Sequence, residues 1–388
     1  MPRTTSGRVF IIIIFSQFCG TSLWFATNAI LPQLQTLYSW EENALGHLTS
    51  AVQVGFIVGT LLFALSGITD KFSPSKIFFI SSMIAASCNA IVLLEPSSFG
   101  LMLTSRALTG FFLAGIYPVG MKIAADWNEQ GLGHWLGALV GALVLGTAFP
   151  HYLRLVPQLV DPNLLIYTVS LLALFGGVLV FLLVKDGPFR KPPTHFSFSE
   201  VRTAFKYSPF RAPAFGYFGH MWELYAFWAF VPWAVNFYLS QYTYSGVHPS
   251  LFSFLIIGAG GIGCLVGGRL SFKMGSKRVA QSALIASGIC CLISPFIWSM
   301  SVTNFFAIMI FWGFMVAADS PQFSALVAAN APVSIRGSAI TITICIGFAI
   351  SIITIQLLAY MQSIIAPQYL FLLLAPGPIA GVLLLNRK

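Results

Sequence analysis

Three charged side chains fall deep inside long apolar stretches of this chain: Arg106, Glu223 and Asp319. A charge placed there is expensive and as a rule faces a cavity, a partner or an ion pathway. Glu223 lies in Phe218-Gly-His-Met-Trp-Glu-Leu-Tyr-Ala-Phe-Trp-Ala-Phe-Val-Pro232, three positions after His220. Residues three apart share a helix face, so His220 and Glu223 form a candidate pair. The charged form of a carboxyl is disfavoured away from water, so an intramembrane acid can bind a proton and release it when its access to water changes. Glu223 is therefore a candidate proton carrier; the plainer alternative is a permanently paired structural carboxylate. Asp319 opens Asp-Ser-Pro-Gln, in which Pro321 removes a backbone hydrogen bond and kinks a helix beside Ser320 and Gln322. Such a polar bend suits a substrate or proton contact, against the alternative of a kink that Asp319 merely caps. Pro118, next to Tyr117, supplies a matching kink. Arg106 suits either an anionic solute or an ion pair. Thr27 and Asn28 add polar groups to the first apolar stretch. Trp24, Phe25, Trp222, Tyr225 and Trp228 offer flat surface to an aromatic or apolar solute, or simply pack.

The elements that hold these residues are transmembrane helices. The 388 residues are 57% hydrophobic and 8% charged, against about a quarter charged in soluble domains. A helical span needs about 20 apolar residues. Twelve such segments fit, at roughly 9–31, 45–67, 76–94, 99–122, 133–153 and 163–184, then 213–239, 249–271, 278–298, 303–329, 336–360 and 367–386. The first is too long for a signal-peptide core, which reads as a retained span. The Pro-rich, charged connection 185–212 separates two groups of six, giving bundles 1–184 and 213–388 around a linker. Alternate loops hold 18 of the 20 Lys and Arg residues, which predicts cytoplasmic termini and explains the net charge of +9 without a nucleic-acid partner.

Landmarks recur at a near-constant offset. Phe18 and Pro32 match Phe218 and Pro232, Pro118 matches Pro321, and Asp70-Lys71 matches Phe272-Lys273. The pattern predicts a duplicated six-helix unit, the architecture of one transporter superfold. The six cysteines lie in apolar stretches without metal-ligand spacing and read as small buried hydrophobes. Neither a P-loop nor a nucleotide fingerprint is present. The expectation is thus no cofactor, no metal and no enzyme activity.

Several motifs resemble the major facilitator superfamily over essentially the whole chain. Ser66-Gly-Ile-Thr-Asp70-Lys71-Phe-Ser73 resembles the family's Gly-x-x-x-Asp-Arg/Lys-x-Gly pattern, with serines at two glycine positions. Its twin, Gly268-Arg-Leu-Ser-Phe272-Lys273-Met-Gly275, keeps the glycines and loses the acid. Arg106-Ala-Leu-Thr-Gly110 with Gly115 resembles a second family motif. The strings around Glu223 and Asp319 are similar to a bacterial branch grouped with nitrate and cyanate permeases. However, 45–67 and 249–268 lack the arginines that nitrate carriers use, and Gly137-Ala-Leu-Val-Gly141-Ala lacks the Gly-Pro pair of drug/proton antiporters. Gly133, Gly137 and Gly141 read as close-packing positions. The resemblance implies that spans 1, 4, 7 and 10 line a central cavity and that Asp70 and Lys71, with Lys273, serve a gate. Alternating access by a monomer in a bacterial inner membrane is the expectation; the buried carboxylates and the lack of an energy-coupling domain point to proton coupling, the missing Gly-Pro pair favours uptake, and Arg106 with the positive interior favours an organic anion as the small solute. A proton-coupled efflux pump for amphipathic compounds and a non-transporting sensor are the alternatives.

Overall fold

The structure, a computed structural model, describes residues 3–128, 132–190, 198–241, 248–332 and 335–387. All regular elements among them are helical. Span 1 comprises α1 (Arg3–Thr21) and α2 (Ala26–Tyr38), and span 2 is α3 (Ala44–Ser66), followed by the single turn α4 (Ile68–Lys71). Span 3 is α5 (Pro74–Ala90), span 4 is α6 (Phe99–Leu113) with α7 (Tyr117–Trp127), span 5 is α8 (Leu132–Leu153) and span 6 is α9 (Pro162–Leu183). The short helix α10 (Phe198–Ala204) precedes span 7, α11 (Ser208–Ser240). Spans 8 and 9 are α12 (Pro249–Met274) and α13 (Ser276–Ile297). Span 10 is α14 (Val302–Ala318) with α15 (Ser320–Asn330), span 11 is α16 (Arg336–Met361), and span 12 joins a 3-10 stretch, Pro367–Leu374, to α17 (Pro376–Leu385). Eleven of these are long and apolar enough to cross a membrane. Span 7 makes the twelfth by length: 33 residues reach about 50 Å at about 1.5 Å per residue. Its bulk comes from aromatic rings, glycines and prolines, and it carries His220 and Glu223.

Spans 1, 4 and 10 are each broken, and the breaks have local causes. In span 1, Thr21 Oγ1 donates to the Gln17 carbonyl (2.8 Å) and Ser22 Oγ to the Cys19 carbonyl (2.7 Å), back-bonding that bends helices. Pro118 and Pro321 have no N–H to continue the ladder. The carbonyl that Pro321 leaves without its helical donor is that of Ala317. The Cys264 thiol of span 8 lies 3.1 Å from it and donates to it. One of the six cysteines thus satisfies a broken helix, a role its apolar setting concealed.

Glycines bring spans together backbone to backbone. A Cβ on Gly55 would fall on the Ala107 carbonyl, and one on Gly110 would fall on the Val52 carbonyl. Spans 2 and 4 therefore touch along the face that carries Arg106-x-x-x-Gly110. Gly137 and Gly141 of span 5 lie against Cys264 and Gly261 of span 8. Spans 2 and 11 run antiparallel, joined by Gln356 Nε2 to Ser50 Oγ (2.8 Å) and Ser351 Oγ to Gln53 Oε1 (2.5 Å). These two pairings, 5 with 8 and 2 with 11, connect the first six spans to the last six. Gly110→Val is expected to lower stability by at least about 2 kcal/mol, the size of core overpacking, read as a fall in the melting temperature of the detergent-purified protein; an unshifted melt would mean that spans 2 and 4 are not in backbone contact.

Candidate substrate and proton site

Where spans 1, 2, 7 and 11 meet, aromatic rings form a closed layer. Trp24 stacks on Tyr225 and on Phe348, each with centroids 5.7 Å apart. Phe56 lies 4.9 Å from Trp24 and 4.6 Å from Phe348, and Trp228 meets Tyr225 edge-on at 5.3 Å. All five are buried. Three N–H donors around this layer have no acceptor: Trp24 Nε1, Trp228 Nε1 and Gln53 Nε2. A buried donor left unpaired is costly, so this cluster is short of acceptors. Tyr117 is half-buried and within electrostatic reach of Tyr217 and Tyr225 on span 7. Asn28 Nδ2 donates to Thr49 Oγ1 (2.9 Å), closing spans 1 and 2 nearby. Trp222 departs from this group. Its indole donates to the Leu373 carbonyl (3.1 Å), so it faces span 12.

His220 and Glu223 do not pair. Three residues on a helix separate side chains by about 60°, and here that sends them to different neighbours. His220 Nδ1 stands 2.9 Å from Asp319 Oδ1, and Ser320 Oγ lies 2.7 Å from Nε2. With Nδ1 turned to the carboxylate, the proton belongs on Nδ1 and Ser320 donates to Nε2. The Nδ1–Oδ1 contact is at ion-pair distance, and no side chain other than His220 approaches the Asp319 carboxyl among the described residues. Asp319 occupies the N-cap position of α15 without capping it. Gln322 is buried on the following turn. The rings of Tyr217 and Phe323 flank the imidazole at 6.0 and 5.9 Å.

Glu223 is held by neutral donors. Trp312 Nε1 donates to Oε1 (2.6 Å), Ser287 Oγ to Oε2 (2.8 Å) and Cys291 Sγ approaches Oε1 at 3.3 Å. It thus ties span 7 to spans 9 and 10. Arg106 is the counterpart in the first half. Its Nη1 donates to the Leu23 carbonyl in the break of span 1 (3.0 Å), and its Nη2 to Asn89 Oδ1 and to Thr109 Oγ1 (3.2 Å). Asn89 Nδ2 in turn donates to Ser170 Oγ of span 6 (2.8 Å). Arg106 and Glu223 are both 1% exposed, and each is completed within its own half.

Asp70 pairs with Lys122 at the end of span 4, 2.7 Å away, and not with Lys71. Arg190 Nη2 donates to the carbonyls of Asp70 and Phe72, each at 2.7 Å, and Arg190 Nη1 lies 2.8 Å from Asp186 Oδ2. Ser73 Oγ also donates to Asp186 (2.5 Å). The turn after span 2 is therefore fastened to span 4 and to the segment after span 6. Lys71 and Lys273 are exposed. The sequence reading had not found Asn89, Trp312, Ser287, Phe348, Lys122 or Arg190; only Asn89, a lone amide in an apolar stretch, carried a visible signal.

The sequence model described as Major Facilitator Superfamily matches residues 13–355. The chain belongs to that superfamily. As a member it is a multi-pass membrane transporter with the superfamily's all-α fold. The solved human organic anion transporter MFSD10 (TETRAN) superposes over 100% of both chains with a TM-score of 0.74 at 15% identity, a likeness of fold. An uncharacterized MFS-type transporter of Caenorhabditis elegans is 23% identical over 130 residues, 32% of this chain. That match takes in 22% of the nematode protein's length. Within the superfamily frame, the broken spans 1, 4 and 10 and the continuous span 7 are the four that bear Trp24, Tyr117, Asp319 and Tyr225.

Proposed function

We propose that the chain is a secondary transporter that carries a small organic solute, with an organic anion favoured, and couples its movement to protons by alternating access. The observation that carries this reading is the buried His220–Asp319 pair, 2.9 Å apart at the break of span 10. A carboxylate so placed is poised to exchange a proton when the cavity changes side. The acceptor-poor aromatic layer favours a solute that brings acceptor oxygens, and Arg106 is already occupied by three acceptors of its own half. The hydrogen bonds Gln356–Ser50, Ser351–Gln53 and Asn28–Thr49 fit a state closed on the face away from the termini. Half-buried Tyr117 and Met121 on span 4 and Ser324, Ala325 and Ala328 on span 10 fit an approach from the terminal face. Positive loops put that face in the cytoplasm, and bundles 1–184 and 213–388 around linker 185–212 are the units that move, in a monomer of a bacterial inner membrane. The cluster of Asp70, Lys122 and Arg190 then ties the start of the linker to the first bundle at that face.

Proteoliposomes with an acidic exterior and an internal pH dye test the reading against organic anions, inorganic anions and hydrophobic cations. Internal acidification that requires one organic anion is the expected result. Acidification with hydrophobic cations alone turns the reading to efflux, and no solute movement with any class points to a sensor. We assign proton exchange to Asp319 and an anchoring role to Glu223. Glu223→Gln accordingly keeps proton-driven uptake and loses about 1–2 kcal/mol of stability, since the new amide N–H faces donors. Loss of proton drive in that variant would return the carrier role to Glu223.

A further inference from the structure

We propose that a cleft between spans 7 and 12, at the face carrying the termini, binds the headgroup of an anionic phospholipid. The cleft has a volume of about 450 Å³ and is lined by Arg211, Ala212, Phe215, Leu384 and Arg387. Its walls are fixed by a seam deeper in the membrane. Gly219 meets Gly377 and Gly381 so closely that a Cβ on Gly219 would overlap both backbones, and Trp222 pins span 12 through the Leu373 carbonyl. Past that seam the two helix ends part. Arg211 lies four residues before Phe215 on α11, so the two share a helix face, and Arg387 follows the end of α17 with its backbone N–H on the Leu384 carbonyl (3.3 Å). Among the described residues no acidic side chain lines the cleft and neither arginine is in an ion pair. Beside it Leu383 is 68% exposed, as suits a side chain in lipid.

Two guanidiniums above an apolar floor fit one phosphate diester with its acyl chains descending along Phe215 and Leu384. Arginine forks recognise phosphate oxygens bidentately, and basic pockets between helix ends take acidic headgroups. A choline headgroup places a cation against the second arginine, so the site selects phosphatidylglycerol over phosphatidylcholine. The inference stands whatever solute the protein carries.

Native mass spectrometry of the detergent-purified full chain, titrated with dioleoyl phosphatidylglycerol, dioleoyl phosphatidylcholine or inorganic phosphate, tests it. The expected result is saturable binding of phosphatidylglycerol, at least tenfold tighter than phosphatidylcholine, and no competition by millimolar phosphate. Arg211→Ala and Arg387→Ala are each expected to weaken binding about fivefold and the double variant about thirtyfold. Arg269→Ala/Lys277→Ala, which removes two positive charges elsewhere, leaves it unchanged. Equal loss in that control, equal affinity for phosphatidylcholine, or displacement by free phosphate would each overturn the site.

Discussion

Asp319→Asn is expected to reduce proton-driven accumulation in proteoliposomes by about two orders of magnitude or more, the scale on which removing a positioned proton carrier acts. Asparagine keeps the size of the side chain and an oxygen near His220 Nδ1, so the break in span 10 and its contact with Cys264 persist. What it lacks is a site for the exchanged proton. Solute-for-solute exchange with no pH gradient therefore continues while accumulation fails, and the two assays together separate uncoupling from misfolding. His220→Gln is expected to follow the same pattern less severely, because Asp319 remains. An Asp319→Asn protein that still accumulates solute against a gradient would sink the coupling role. One that melts far below the parent would make Asp319 structural.

Arg106→Met is expected to act on the fold. The substitution keeps much of the side-chain volume but strands the Leu23 carbonyl, Asn89 Oδ1 and Thr109 Oγ1 inside the first half. Each stranded buried acceptor costs about 1–3 kcal/mol, so a loss on the order of 3 kcal/mol follows. Because Asn89 also reaches Ser170, Asn89→Ala should cost less in the Arg106→Met background than alone, as residues of one network are not additive. Thermal unfolding of the single and double variants reads both effects. A normal melt combined with a raised Km for an anionic solute would instead make Arg106 a substrate contact.

The positions of the spans and the kinks at Pro118 and Pro321 were legible because apolar length and a missing N–H are written in residue type. So was the depth of Arg106, Glu223 and Asp319. Their partners were not. His220 and Glu223 share a face in projection, yet the 60° between them puts one on α15 and the other on α13 and α14. The break in span 1 has no proline to announce it; the signal was the Thr21-Ser22 pair, whose hydroxyls compete for helix carbonyls. The partners of Glu223 are neutral residues in apolar spans, and nothing in Ser287, Cys291 or Trp312 marks them as a carboxylate's donors. Asp70 and Lys71 read as gate residues without a partner for the acid, and that partner is Lys122, fifty-two positions along the chain.

The two buried polar knots repeat one position with different chemistry. Leu23 and Glu223 stand 200 residues apart, the offset that separates Phe18 and Pro32 from Phe218 and Pro232. At the first, the acceptor is a main-chain oxygen; at the second, it is a side chain. A main-chain oxygen survives any change of codon, so drift at position 23 leaves the acceptor of Arg106 in place. Position 223 has no such protection, since its knot hangs on a single acidic codon. The acceptor at position 23 is therefore indifferent to side-chain identity while the one at 223 is not, and the first knot depends on its donor, Arg106, where the second depends on its acceptor.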